Sequence, residues 1–237
     1  MSTVAQLPQV PPADRLAQPM PQKSVAGVEN PSPITSPPPG MNNQFNPPAQ
    51  AGVLSCVEST IIGSTLYDLQ SNASVDYRLI ADQLGVQGTW TMSFELIPYS
   101  DRGTGLNEFD EEDWGEIPYE RIESIRTGWS SIGVTPTGRQ VVVSHPGIAD
   151  PLHMAWRDEG GQIWSEASVP SELEVGKLWP RMVTGGIDGN SLHVICITTP
   201  IENGGMLHNN QDGALLYYRS PDGGNSWDIV DHSFVEL

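Results

Sequence analysis

Eight residues near the C-terminus, "SPDGGNSW" (220–227), repeat the pattern of "RDEGGQIW" (157–164): an acidic residue, a glycine pair and a tryptophan in the same register. Asp222 falls on Glu159, Gly224 on Gly161, and Trp227 on Trp164. A second match pairs "GWSSIGVTPTGRQVVVSH", from Gly128, with "LWPRMVTGGIDGNSLHVICI", from Leu178; in each a tryptophan precedes a Gly-containing turn and a Val- or Ile-containing run. Such repetition constrains the fold more than any other feature, because a unit too small to bury its own apolar faces must bury them against its neighbours.

A fainter copy ends at Trp114, in "LNEFDEEDWGEIP", so the units run over about 55–118, 119–170 and 171–232. Each holds four short strand candidates separated by Gly, Asn, Asp or Pro turns, and none sustains the apolar period of a helix. Four-stranded antiparallel sheets repeated along a chain predict an all-β fold. The architecture expected is a β-propeller with about three blades in this chain, hence a partial propeller or a fragment.

Residues 1–50 hold 12 of the 21 prolines and almost no aromatic or β-branched runs, too little apolar surface to offset the entropy of ordering. They read as a Pro-rich disordered or extended leader, with the blades over 51–237. No PxxP register there has a basic anchor beside it. Eleven Lys plus Arg against 29 Asp plus Glu leave a formal charge of -18, a field that repels nucleic acid and anionic lipid. No apolar run is long enough to span a membrane, and Met1 does not open a signal sequence. The Pro-rich beginning suits the mature end of a secreted or cell-surface precursor. Cys56 and Cys196 lie far apart in apolar contexts, as two buried thiols or one disulfide, without the close spacing of a metal site.

Ser220, Asp222, Gly224 and Trp227 resemble the Asp-box, Ser/Thr-x-Asp-x-Gly-x-x-Trp, which recurs in the sialidase-like (BNR-repeat) β-propellers; Glu159, Gly161 and Trp164 form a degenerate copy. The strings "IGSTLYDLQSNASV", "DRGTGLNEFDEEDW" and "RIESIRTGWSSIG" are similar to those of propellers in large secreted Bacteroidetes-type proteins. The resemblance implies that the box sits on a peripheral hairpin, away from any central pocket. Its residue types suit a turn: a carboxylate to accept from turn amides and from the Ser220 hydroxyl, a glycine for positive φ, and a tryptophan to fold over the loop. Asp222 is therefore expected to be structural rather than catalytic.

Sialidases clamp a substrate carboxylate with three arginines and use an Asp acid/base and a Tyr–Glu nucleophile. The resemblance makes Arg102, Arg126 and Arg181 the candidate anion or ligand-binding residues, although none has the Arg-Ile-Pro context of that family, and no catalytic residue is assigned. Each also fits an ordinary salt bridge in so acidic a chain. The run "NEFDEEDWGE" (107–116) offers oxygen ligands for Ca²⁺ but lacks the spacing of a calcium loop, so it reads as a solvated hairpin tip and no cofactor is expected. Histidines 145, 153, 193, 208 and 232 show no zinc-site spacing. "NAS" at Asn72 is a glycosylation sequon.

Two functions follow. One is a non-catalytic extracellular propeller, a binding or adhesion module for a glycan or cell-surface protein. The other is the N-terminal part of a sialidase-like glycoside hydrolase. Either leaves open whether further blades come from a continuation of the chain, another chain or a homo-oligomer.

Overall fold

The structure, a computed structural model, describes residues 59–67, 69–70, 77–82 and 85–234. The Pro-rich leader 1–50, Cys56 and the sequon at Asn72 lie outside the described residues. Among those described the chain is all-β, with no α-helix and a single 3-10 turn at Ile201–Asn203.

Three antiparallel sheets follow one another in chain order. Sheet one holds β1 (Leu79–Asp82), β2 (Gly85–Met92) and β3 (Gly103–Phe109). Sheet two holds β4 (Gly128–Val134), β5 (Gln140–His145), β6 (His153–Arg157) and β7 (Ser165–Ser168). Sheet three holds β8 (Lys177–Gly185), β9 (Ser191–Thr198), β10 (Leu215–Ser220) and β11 (Ile229–Ser233). Every pairing is between strands consecutive in sequence, as short turns between alternating apolar runs require.

Where four strands per unit were expected, the sheet of the first unit has three among the described residues. After β3 the chain folds back through the acidic turn, where the Phe109–Trp114 bridge and the Gly115 N–H to Glu108 carbonyl bond (2.8 Å) continue the ladder. Pro118 has no N–H to donate. Beyond it isolated backbone bonds return to β3 and its start, from the Ile122 N–H to the Thr104 carbonyl (2.9 Å) and from the Thr127 N–H to the Arg102 carbonyl (3.0 Å), while Arg121 donates to the carbonyls of Glu123 (2.8 Å) and Ser124 (2.9 Å).

Sheets two and three pack face to face. The residues of β5, "QVVVSH", are all buried, the mark of a strand covered on both sides. Along β9 burial alternates, so Leu192, Val194 and Cys196 face sheet two while Ile195 is 40% exposed. The shared core comprises Val141, Val143, Met154, Met182, Leu192, Val194, Leu216 and Tyr218, with Leu152 and Val169 at its edge. Close approach of β4 to β8 depends on Gly133, where a Cβ would stand 2.8 Å from Met182 Sδ. The opposite face of sheet three, with Val183, Ile195 and Leu215, is left partly exposed.

Antiparallel order sends alternate connections to opposite ends of each sheet. Ser131 Oγ donates to the Pro180 carbonyl (3.2 Å) and Pro136 touches Gly189, so β4 and β8 run the same way. Their hairpins, with the 157–164 and 220–227 turns, share one end of the molecule. The connections 146–152, 169–176 and 199–214 gather at the other, where the Thr199 hydroxyl donates to the Ile148 carbonyl (2.6 Å) and the Thr199 N–H to the Gly176 carbonyl (2.9 Å).

A buried polar knot closes that linker end of sheet three. Lys177, 1% exposed, donates to the Leu173 carbonyl (2.7 Å) and to Ser171 Oγ. Ser171 and the Tyr218 hydroxyl both donate to Asp231. Burial pulls the Lys177 ammonium down and pushes the Cys196 thiol up to about 12, so Cys196 is a buried, unreactive free thiol.

Candidate functional site

The hairpin end carries both of the repeated Gly-Gly turns, 157–164 and 220–227. Gly223 and Gly224 have φ of 67° and 94°, values that favour glycine. Asp222 accepts from the Ser226 N–H (2.7 Å), the Ser226 hydroxyl (2.6 Å) and the Ser220 hydroxyl (3.0 Å), while the Gly224 N–H donates to Ser220 Oγ (2.8 Å). Burial acts to raise the Asp222 pKa, but these bonds outweigh it and hold the carboxyl below its ordinary value. Trp227 meets Tyr218 edge-on (6.4 Å, 88°) and packs against the core between sheets two and three.

In the degenerate copy Arg157 replaces Ser220, and the network turns outward. Arg157 bonds Gln140 and Glu108, and its guanidinium lies 4.9 Å from the Trp164 ring centroid. Glu159 packs beside Gly138, and the turn closes through the Gly161 N–H to the Asp158 carbonyl (2.8 Å). Two polar clefts flank these turns, one of about 290 Å³ beside Asp222, Arg139 and Asp188, the other of about 230 Å³ beside Arg157 and Glu159. In the acidic hairpin, Asp110 accepts from the N–H groups of Glu112 (3.1 Å) and Asp113 (2.9 Å). Among the described residues no group of three or more His, Cys, Asp or Glu side chains could hold a metal.

The linker end is different in kind. Trp129 in β4 and Trp179 in β8 both adopt left-handed backbone, with φ of 49° and 54°, and each sits in a break of ladder register, Gly128/Ser131 and Leu178/Arg181. A bulky residue is seldom found there. Two such residues at matching positions mark a repeated bulge that re-aims the start of each leading strand.

His145, at the end of β5, lies between the two bulges. Its ring stacks on Trp129 (5.6 Å, 22°), and Nδ1 accepts from the Trp179 backbone N–H (3.3 Å), which leaves the ring proton of the neutral imidazole on Nε2. Burial, then the charges of Arg102, Arg126 and Arg181, push the His145 pKa down to about 3. The charges of all three arginines singled out in the sequence thus act on one histidine.

Each arginine is held by backbone carbonyls. Arg102, 8% exposed, donates through Nε to Thr127 O (2.7 Å), with its guanidinium 5.4 Å from the Tyr67 ring and 5.3 Å from the Trp129 ring. Arg126 donates to Tyr99 O (2.9 Å) and Pro98 O (3.4 Å), and Arg181 to Trp179 O (3.2 Å) and Pro180 O (3.1 Å). Burial and then the neighbouring Arg126 charge lower the Arg102 pKa. Along β4, Thr127 Oγ1, Trp129 Nε1 and Ser130 Oγ are buried with no hydrogen-bond partner among the described residues.

Such a rim offers positive charge and donors. At neutral pH His145 is held uncharged, so the positive charge there is that of the arginines. The sequence reading missed His145, Trp129 and Trp179 as site residues; the signal within reach was the aligned tryptophan pair, which was read only as a repeat. No protein-family model matches the chain, and no curated protein matches it.

Proposed function

We propose that the three sheets are blades of a sialidase-like β-propeller, secreted or displayed at a cell surface. Its arginine rim binds the carboxylate of an acidic glycan without turning it over. The observation that carries this reading is the placing of Arg102 against Trp129, whose ring stacks on His145, and of Arg181 on the carbonyl of Trp179, whose N–H bonds His145, with the Arg126 charge acting on both Arg102 and His145. Like charges brought together inside a protein repel, and an anion relieves that repulsion. The Asp-box, bonded within its own turn and at the far end, fits a structural part in such a module.

The test is titration of the intact protein with sialyllactose and with lactose. Saturable binding of the acidic sugar alone, weakened by salt and lost in Arg126→Met, is the expected result. Equal binding of the neutral sugar would sink it. The same arginine cluster also favours the second reading, the N-terminal part of a sialidase-like hydrolase; turnover of a fluorogenic sialoside by this chain would select that one.

A further inference from the structure

The start of β4 gathers buried donors that the surrounding chain leaves without acceptors. Thr127 is fully buried and Trp129 is 7% exposed, yet Thr127 Oγ1 and Trp129 Nε1 have no hydrogen-bond partner among the described residues. Between them lies Gly128, and a guanidinium group takes the space where its side chain would stand. A Cβ on Gly128 would be 2.9 Å from Arg102 Nε and 3.0 Å from Arg102 Nη2. The same Arg102 donates through Nε to the Thr127 carbonyl (2.7 Å) and stands 5.3 Å from the Trp129 ring centroid. One glycine thus brings an indole N–H, a hydroxyl and a buried cation to a single place.

The charge of that place is unbalanced. Burial and the neighbouring Arg126 both act against the Arg102 charge. Among the described residues the group that favours it is the Tyr67 phenol, and no carboxylate does so. The charges of Arg126 and Arg181 act on the same neighbourhood, since both depress His145, whose ring stacks on Trp129. Indole N–H and guanidinium groups donate and cannot accept. A buried donor without an acceptor is costly, and a buried cation without a counter-charge is more so. Water would satisfy the donors and leave the charge; a small anion answers both. Burial sets its size, because atoms this far from solvent are beyond the reach of a sugar carboxylate, whereas a monatomic ion needs little more room than a water molecule.

We infer that Thr127 Oγ1, Trp129 Nε1 and the Arg102 guanidinium hold a small monovalent anion of chloride size, buried beneath the arginine rim. The ion offsets the repulsion between Arg102 and Arg126 and stabilises the folded chain. This site is independent of the glycan reading, for it takes no sugar and lies deeper than the surface a sugar would touch.

Thermal unfolding of the full chain tests it, at constant ionic strength, with sodium gluconate replaced stepwise by sodium chloride or bromide; gluconate is too large to enter. An ion that binds only the folded state raises the melting temperature by about 3 to 5 °C for each tenfold increase in halide beyond its dissociation constant. Trp129→Phe keeps an aromatic ring and removes the N–H, and Thr127→Val removes the hydroxyl at nearly equal volume. Each flattens the rise, whereas Thr137→Val, at the hairpin end, leaves it unchanged. Equal melting temperatures in halide and gluconate overturn the inference and put water on these donors. A halide response unchanged in either Trp129→Phe or Thr127→Val also overturns it, and puts the ion on exposed groups elsewhere. Crystals grown in bromide locate the ion by anomalous scattering, with the peak expected beside Trp129 Nε1 and Arg102. A peak there without the response in solution would be an adventitious ion only, and a response in solution without that peak would refute the site.

Discussion

Sheet two meets sheet three through Val141, Val143, Met154, Met182, Leu192 and Val194, whereas on its face toward sheet one the fully buried Ile132, Val142 and Ala155 are joined by buried polar and charged groups. At the hairpin end of that second junction Arg157 and Gln140 bond Glu108. Nearer the linker end the buried Glu123 accepts from the Thr104 N–H (2.8 Å), the Thr104 hydroxyl (2.6 Å) and the Ser144 hydroxyl (3.1 Å). Both junctions thus bury apolar side chains, and the second adds a hydrogen-bonded set around Glu123 and Glu108. Apolar burial is non-directional and supplies stability, while a hydrogen-bonded junction is satisfied at one register only and supplies specificity. The two box turns repeat the contrast, since Ser220 knits its own loop and Arg157, in its place, knits two sheets.

The comparison breaks most visibly in the junction of sheets two and three. Leu192→Ala, at a fully buried site, should cost about 2 to 5 kcal/mol. Denaturant midpoints measure it, and a loss well under that range would mean the junction relaxes around the cavity.

Glu123→Ala strands three donors in the junction of sheets one and two and should cost about 1 to 3 kcal/mol, with Glu123→Gln recovering part of it. If alanine proves neutral, that carboxylate does not set the register of sheets one and two.

The paired hairpins sharpen the comparison further. Asp222→Ala should lose on the order of 1 kcal/mol whatever the ionic strength, because its bonds lie within one turn. Arg157→Met should lose under about 1 kcal/mol, with a cost that shrinks as salt screens the Glu108 pair. Thermal melts of the two variants at low and high salt separate them, and equal salt responses would erase the distinction.

The last test is a slope with pH and not a single free-energy difference. His145 has a folded-state pKa of about 3, below its unfolded value near 6.5, so only the unfolded chain takes up the proton as pH falls between them. The contribution is fully present above the unfolded value and is lost on acidification through that window. His145→Gln should flatten the stability profile of the native sequence between neutral pH and the carboxylate range. Parallel profiles would show that this histidine is not buried neutral.

Much of the β architecture was legible because its determinants are local. Alternation in "LHVICITT" and "LLYYRS", with glycines and acids between such runs, marks strands and tight turns within a few residues of each other. The first unit departs from the expected four strands because Pro118 cannot donate and the segment after it returns to β3 by isolated bonds instead of a ladder. The site was legible by residue type alone. Three arginines could be named, yet nothing in the spacing of 102, 126 and 181 says that their charges act on one residue, or that His145 would be that residue.

From its own order the sequence determined an all-β chain of consecutive antiparallel strands and the glycine-dependent turns at 160–161 and 223–224, because turn chemistry and side-chain alternation act over a few residues. The tertiary structure alone decided that Glu123 and the Glu108–Arg157 pair tie sheets one and two, that Trp129 and Trp179 take left-handed bulges, and that three arginine charges act on one neutral imidazole. Those outcomes depend on contacts between segments tens of residues apart, where burial and the field of neighbouring charges are set by packing and not by sequence proximity.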